Sequence, residues 1–413
     1  MAIAIQSMNP LRVLQRHRNF RIFWMGQTTS LIGTWMQSTA QAWLALQLSN
    51  SAFIVGLVVT AGALPILLLS LYGGVVADRT DKLRLVTIGQ ALLLVQAVAL
   101  WWFVWSGGIT VAWLLVFALL SGTINAFEIP ARQSFIIELV GKDDLTDAIA
   151  LNSGGFNLAR VIGPSLAGIV IHQFGTSWVF AINALSYFAV LASLLSIRLP
   201  PRPTREVMTS PMEGLLEGLR FMFRTRDVSL LMGLIAMYSI FGMPYLALMP
   251  VVARDVLRSD ASGYGLLLTA VGVGGFAGAL GLAAVGRRAR RRRLLELSAY
   301  AFSVLLIVFS FSRSLVFSAI LLLFIGCAMI LSNALANGVL QTTVPDELRG
   351  RVMSAYAWVF VGLGPVVGPL LAGGLADEIG ATRTIGVMAV VTLVFAWWSF
   401  RKRPTAAEAR LPN

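Results

Sequence analysis

About twelve apolar stretches, most of them roughly 18 to 25 residues long, recur from Phe20 to Phe400 with only short polar segments between them. Each can cross a hydrocarbon core about 30 Å thick as a helix rising about 1.5 Å per residue. With 57% of its residues hydrophobic and 12% charged, the chain carries more apolar surface than a soluble protein can bury. The expected spans are 20–47, 52–77, 85–105, 110–131, 149–172, 177–197, 228–250, 263–285, 294–311, 315–339, 352–376 and 383–400. The pattern therefore predicts an all-α membrane protein with twelve transmembrane helices, in contact with lipid along most of its length.

The formal charge of +13 is distributed unevenly along this pattern. Arg12, Arg16, Arg18 and Arg21 precede the first span, and Arg79, Lys82 and Arg84 follow the second. Arg132 and Lys142, the run from Arg198 to Arg226, the tract from Arg287 to Arg293, Arg349, Arg351 and Arg401 to Arg403 fall on the same side. Opposite lie Arg254, Arg258, Arg313 and Arg383. Positive charge accumulates in cytoplasmic loops, so both termini are expected in the cytoplasm. Basic residues placed this way set topology and meet headgroups, and no nucleic-acid partner is expected. The single Cys327 sits in an apolar run and offers no disulfide or thiolate cluster. The basic start of the chain lacks a small-residue cleavage site before the first span, so that span is expected to stay.

The chain divides in two. Residues 1–19 form an N-terminal segment, 20–197 a first group of six spans, 198–227 a charged, proline-containing linker, 228–400 a second group of six, and 401–413 a tail. Within the linker, MEGLLEGLRFMF has the pattern of a short amphipathic helix. An internal repeat supports the division, because Gly163, Pro164, Gly168 and Gly175 fall on Gly368, Pro369, Gly373 and Gly380 at a constant offset of 205 residues.

The loop after the second span reads Gly74-Val-Val-Ala-Asp78-Arg79-Thr-Asp81-Lys82. With the twelve spans and the repeat, it resembles the major facilitator superfamily, although Asp81 stands where glycine is usual and Leu83 where a basic residue is usual. The runs NFRIFWMGQTTSLIGTWMQSTAQAWLALQL, EIPARQSFIIELVGKDDLTDAIALNSGGFNLARVIGP and VPDELRGRVMSAYAW are similar to the bacterial subgroup of enterobactin-type siderophore exporters and macrolide efflux pumps. The resemblance implies two pseudo-symmetric six-helix bundles in the bacterial cytoplasmic (inner) membrane. It also implies a latch at Gly74, Asp78 and Arg79. Asp78 would sit at a helix N-terminus and Arg79 would seek an acid, with Glu128 its candidate partner. Gly163, Pro164 and Gly168 are similar to a motif of antiporters in this superfamily. Small residues and a proline permit a sliding or bending interface there, or plain tight packing.

Ionisable residues inside the bilayer are costly. Arg160 lies about eleven residues into the fifth span, roughly 17 Å along it, with no carboxylate at similar depth in the sequence. Facing a central cavity it would attract an anionic group; turned toward backbone carbonyls and Asn157 it would hold helices together. Glu128 and Arg132, four residues apart, are expected to pair as a structural or gating couple. Proton coupling would then use Glu128, an acid near a gate, His172, which also fits an interfacial histidine, or the charge of the substrate itself. Gln37, Gln41, Asn125, Asn152, Asn157, Tyr238, Tyr245, Asn333 and Asn337 are candidates for a polar and aromatic cavity lining, or for hydrogen bonds between helices.

Together these readings predict a secondary transporter that exports a bulky organic compound, siderophore or drug-like, by alternating access coupled to proton antiport. An importer or a lysophospholipid flippase of the same fold is the alternative, since fold fixes neither direction nor cargo. The sequence has no GxxxxGK[ST] loop, and His17 and His172 lie on opposite membrane sides, so neither an ATPase nor a metalloenzyme is expected. No cofactor is expected, and the chain is expected to act as a monomer.

Overall fold

A computed structural model of the protein describes residues 11–198, 211–285 and 291–401. The basic tract at 286–290, the linker at 199–210 and the tail from 402 lie outside the described residues. A short helix α1 (Leu11–Arg16) leads into α2 (Arg18–Ser49), α3 (Ala52–Arg79), α4 (Lys82–Trp105), α5 (Val111–Val140), α6 (Leu145–Phe174) and α7 (Thr176–Leu195). The amphipathic α8 (Pro211–Arg224) then precedes α9 (Arg226–Met237), α10 (Tyr245–Val251), α11 (Ala261–Val285), α12 (Arg291–Ser310), α13 (Leu315–Thr343), α14 (Asp346–Ala357), α15 (Gly364–Ile379) and α16 (Ala381–Arg401). The segments α9–α10 and α14–α15 each form one crossing. Eleven segments among the described residues are long and apolar enough to span a membrane. The 32-residue α2, made more polar by Gln27, Gln37 and Gln41, completes the twelve.

Several helices outrun the apolar stretches that announce them. α5 continues through Pro130 to Val140, and α13 continues past Val339 to Thr343. Hydropathy marks the hydrocarbon layer, whereas a helix ends where its backbone is capped. Ser51 and Asp81 accept the Ile54 and Arg84 amides at 3.2 and 2.7 Å. Gly175 and Gly380, equivalent by the repeat, both end their helices at positive φ, 91° and 88°, which glycine adopts without a Cβ penalty.

The two halves bend differently. α9–α10 contains π turns at Tyr238–Gly242 and Val252–Val256, and α14–α15 contains one at Trp358–Leu363. The equivalent α2 and α6 run without such a turn among the described residues. Pro244 and Pro365 follow two of these turns closely. A proline lacks an amide hydrogen and crowds the carbonyl four residues before it, and a wider π turn relieves that conflict.

Buried side chains divide by level. One cluster contains Met36, Trp43, Leu100 and Phe180 of the first half together with Tyr245, Leu267, Phe302 and Met388 of the second. Toward the end of the bundle where α2 begins and α16 finishes, the cores separate. Phe20, Phe23, Phe135 and Leu194 pack within the first half, and Leu231, Leu295, Leu340 and Phe400 within the second. We call this the basic end and the opposite one the far end. At the basic end His17 and Arg16 hold Asp144 at 2.7 and 3.1 Å. The His17 hydrogen bond is the main reason that this carboxyl titrates below its ordinary value. Lys82 pairs with Glu138 at 3.1 Å, and Arg351 of α14 pairs with Glu217 of α8.

Candidate functional site

Where the shared core ends, a cavity of about 540 Å³ opens between the halves. Trp35, Ser38 and Thr39 of α2, Val59 of α3, and Phe156, Arg160 and Pro164 of α6 supply one wall. Ser239 in the first π turn, Met243 and Pro244 just after it, Tyr264 and Leu268 of α11, and Phe360 and Gly364 around the third supply the other. Its surface is largely apolar, and Arg160 is the charged residue among these lining side chains.

Arg160 rests against soft groups. Its Nη2 lies 3.8 Å from Met329 Sδ, and its guanidinium carbon lies 5.9 Å from the centre of the Trp35 ring. Tyr245 directs its hydroxyl at the same sulfur at 3.8 Å, and Tyr238 donates to the Met329 carbonyl at 3.2 Å. Asn157 donates instead to the Ser153 carbonyl at 2.9 Å, so it does not tether the arginine.

The far end is closed by two helix crossings between the halves. In one, α3 crosses α15; in the other, α6 crosses α11. A Cβ at Gly56 would strike the Pro369 carbonyl oxygen, and one at Gly265 would lie 2.5 Å from the Pro164 carbonyl oxygen. Gly373 approaches the Ala52 oxygen, and Gly168 the Ala261 oxygen, with Cβ distances of 2.6 and 2.7 Å. Gly163 packs differently, against Trp35 of its own half, as Gly368 packs against Pro244. The repeated motif thus uses its first glycine within a half and its second between halves.

Polar ties reinforce both crossings. Asp377, at the end of α15, accepts from Ser51 Oγ and from the Ala52 and Phe53 amides at 2.6, 2.7 and 3.2 Å, and so caps α3 from the other half. His172, at the end of α6, lies 2.5 Å from Asp260, which precedes α11 and accepts from Ser262 and Gly263. Bonding from Ser262 Oγ is the first cause holding the Asp260 carboxyl below its usual value; the backbone amides and the His172 charge add to it. Arg254 donates to Asn50 Oδ1 at 2.8 Å and to the Leu46 carbonyl at 3.3 Å. At the basic end, every described ion pair stays within one half or joins α8 to the second.

The remaining sequence candidates lie away from this cavity wall. Gln37 accepts from Asn183 at 2.6 Å and donates to Gln96 at 3.4 Å, binding α2 to α7 and α4. Gln41 keeps a buried amide nitrogen without a partner. Asn125 and Asn152 are half-buried on α5 and α6. Asn333 accepts from Tyr356 at 2.8 Å, and Asn337 from Gln341 at 2.6 Å. Amides tend to find partners within their own bundle, because that removes unpaired polar groups from the hydrocarbon.

Glu128 corrects the expected latch. It is 2% exposed, pairs with Arg132 at 3.0 Å, and accepts from Gln90 at 2.8 Å. Asp78 and Arg79 stand exposed at the end of α3, and among the described ion pairs the partner of Glu128 is Arg132, not Arg79. The nearer cation, one turn along α5, has taken the acid's oxygens.

Sequence reasoning missed the aromatic wall of Trp35, Phe156, Tyr264 and Phe360, because apolar residues in a hydrophobic helix carry no signal of direction. It also passed over Asp377, although the repeat offset of 205 places it opposite His172.

Residues 6–412 match the family model described as transmembrane secretion effector, a branch of the major facilitator superfamily. The chain belongs to that family. Among its relatives, the staphyloferrin A transporter of Staphylococcus aureus is 26% identical over 90% of this chain and 93% of its own. The multidrug efflux pump Tap of Mycolicibacterium fortuitum is 29% identical over 89% of this chain and 91% of its own. The nucleoside transporter NupG superposes with a TM-score of 0.75 over 94% of this chain and 100% of its own at 12% identity, which speaks for the fold alone. The protein is a multi-pass membrane transporter of the major facilitator superfamily, not an enzyme.

Proposed function

We propose that this transporter exports a bulky organic compound across the bacterial cytoplasmic membrane by alternating access, driven by protons moving inward. The observation that carries the proposal is the cavity itself. It has walls from both halves and lies against a far end closed by two reciprocal glycine crossings, while the buried cores separate toward the basic end. With the basic end in the cytoplasm, as the charge distribution favours, this is a cavity facing the compartment from which an exporter loads. The curated relatives named above, one a siderophore transporter and one a drug efflux pump, support the organic cargo and, in the second case, the direction.

No carboxylate is among the described residues lining the cavity. We therefore assign proton exchange to the ties between the halves at the far end, at Asp377 and at His172. Their protonation alters a contact that must break when that end opens. Glu128 stays a structural partner of Arg132 within the first half. One polypeptide encloses the whole cavity, so a monomer suffices.

The test is accumulation of siderophores, macrolides and other amphipathic compounds in inside-out vesicles, with and without an imposed proton gradient. Gradient-dependent accumulation of one class supports export with proton exchange. Accumulation only in right-side-out vesicles would make the protein an importer, and movement of lysophospholipid alone would make it a flippase.

A further inference from the structure

Resting on the reading of the cavity as the transport site, we propose that it is an organic-anion site. A cargo with an apolar, aromatic body would place one acidic group on Arg160, and cations of the same shape would be excluded.

Arg160 is the charged side chain on an otherwise apolar wall, and among the described residues no carboxylate lies within ion-pair distance of it. Its neighbours are a thioether sulfur at 3.8 Å and an indole face at 5.9 Å. Neither neutralises the charge. Met329 is itself fixed, because Tyr238 holds its carbonyl and Tyr245 its sulfur, and Tyr238 and Tyr245 both pack on Phe302. The cation is thus braced from behind and presented to the cavity with most of its five N–H donors unused.

A guanidinium in that state has two consequences for a ligand. An acidic group gains charge-assisted hydrogen bonds in a setting of low dielectric, where they are strong. A cation meets an unscreened like charge with no acid nearby to offset it, which acts as rejection. Trp35 and Phe156, in edge contact at 5.7 Å, and Phe360 across the cavity accommodate the apolar body, since aromatic faces bury large areas. At about 540 Å³ the space is in the usual range for a drug-sized molecule. The cargo class is therefore bulky organic acids rather than lipophilic cations.

Three pyrene probes of equal bulk test this on the purified full chain in lipid nanodiscs: pyrenebutyrate, its methyl ester, and a trimethylammonium analogue. The native protein is expected to bind the acid ~10- to 100-fold more tightly than the ester, the range of a hydrogen bond to an ionised group, and the cation more weakly still. Arg160→Gln should bring the acid down to the level of the ester without weakening the ester. Arg160→Lys should keep part of the preference. Equal affinity for acid and cation, no binding of any probe by the native chain, or an acid preference that survives in a folded Arg160→Gln protein would each overturn the proposal. The native comparison decides even if a variant fails to fold. Vesicle transport separates the two readings. Acid-selective binding without gradient-driven movement would remove the proton-coupled export reading and leave the anion site standing. Gradient-driven export of cations and acids alike would do the reverse.

Discussion

At the far end, α3 crosses α15 and α6 crosses α11 with the same backbone geometry and opposite polar chemistry. Gly56 and Gly265 each sit on the carbonyl of a repeat-related proline, Pro369 and Pro164, and Gly373 and Gly168 answer them on the partner helix. At the first crossing the carboxylate comes from the other half, as Asp377 caps α3 across the interface. At the second the carboxylate belongs to the capped helix, as Asp260 precedes α11, and the other half contributes His172. His172 and Asp377 occupy equivalent repeat positions. The close approach is what both copies of the fold require. The charge that fastens it has been free to change sides, provided that a negative group remains at the helix N-terminus.

The backbone half of the comparison carries the largest expected effect. Gly56→Leu and Gly265→Leu should each remove about 1–3 kcal/mol from far-end closure, as overpacking does, and lower transport by at least roughly fivefold. A membrane-impermeant maleimide applied at the far side reports closure through Ser38→Cys on the cavity wall, in a Cys327→Ser background. If one of the two glycines tolerates leucine, the crossings are not equivalent.

Next in size is Asp377→Ala, which loses the acceptor of three hydrogen bonds between the halves. The expected cost is about 1 kcal/mol, the usual worth of an N-cap. It should read as a severalfold faster labelling of the Ser38→Cys site. His172→Ala should do less, below about 1 kcal/mol, because His172 and Asp260 are 59% and 47% exposed and water screens them. An effect of His172→Ala larger than that of Asp377→Ala would reverse the ranking of the two ties.

The smallest effect is one of pH. Asp260 is held below the ordinary carboxylate value, so its folded form gains stability that is complete above that value and is lost as pH falls through the lowered one. The α6–α11 tie should therefore persist into mildly acidic solution. Ser262→Ala removes the largest cause of the lowering and should move the acid-induced rise in Ser38→Cys labelling toward higher pH. An unchanged profile would show that the carboxylate does not hold this crossing.

Much of this architecture is legible in the chain. Span number, the division into halves and the equivalence of Gly163 with Gly368 and of Gly168 with Gly373 follow from hydropathy and a fixed offset. The pairing of Glu128 with Arg132 follows from helical spacing, and the structure contains it. The cavity wall was less legible. Gln37, Asn333 and Asn337 find partners among nearby amides, a phenol and a carboxamide, and polarity alone does not say which way a helix face turns. Arg160 could be singled out by depth, but its surroundings could not, since Met329 is 169 residues away and equally unremarkable as an apolar residue in a span.

The sequence by itself determined that this chain lives in a bilayer as two related six-helix groups with one basic end, because span length, charge bias and repeat spacing are properties of local composition. The tertiary structure decided which end is closed, which glycine of the motif faces the other half, and that Arg160 meets a cavity rather than a carboxylate. Those outcomes depend on how helices far apart in sequence turn toward one another. That choice is made by packing and by the need to pair polar groups away from water, and no single segment carries it.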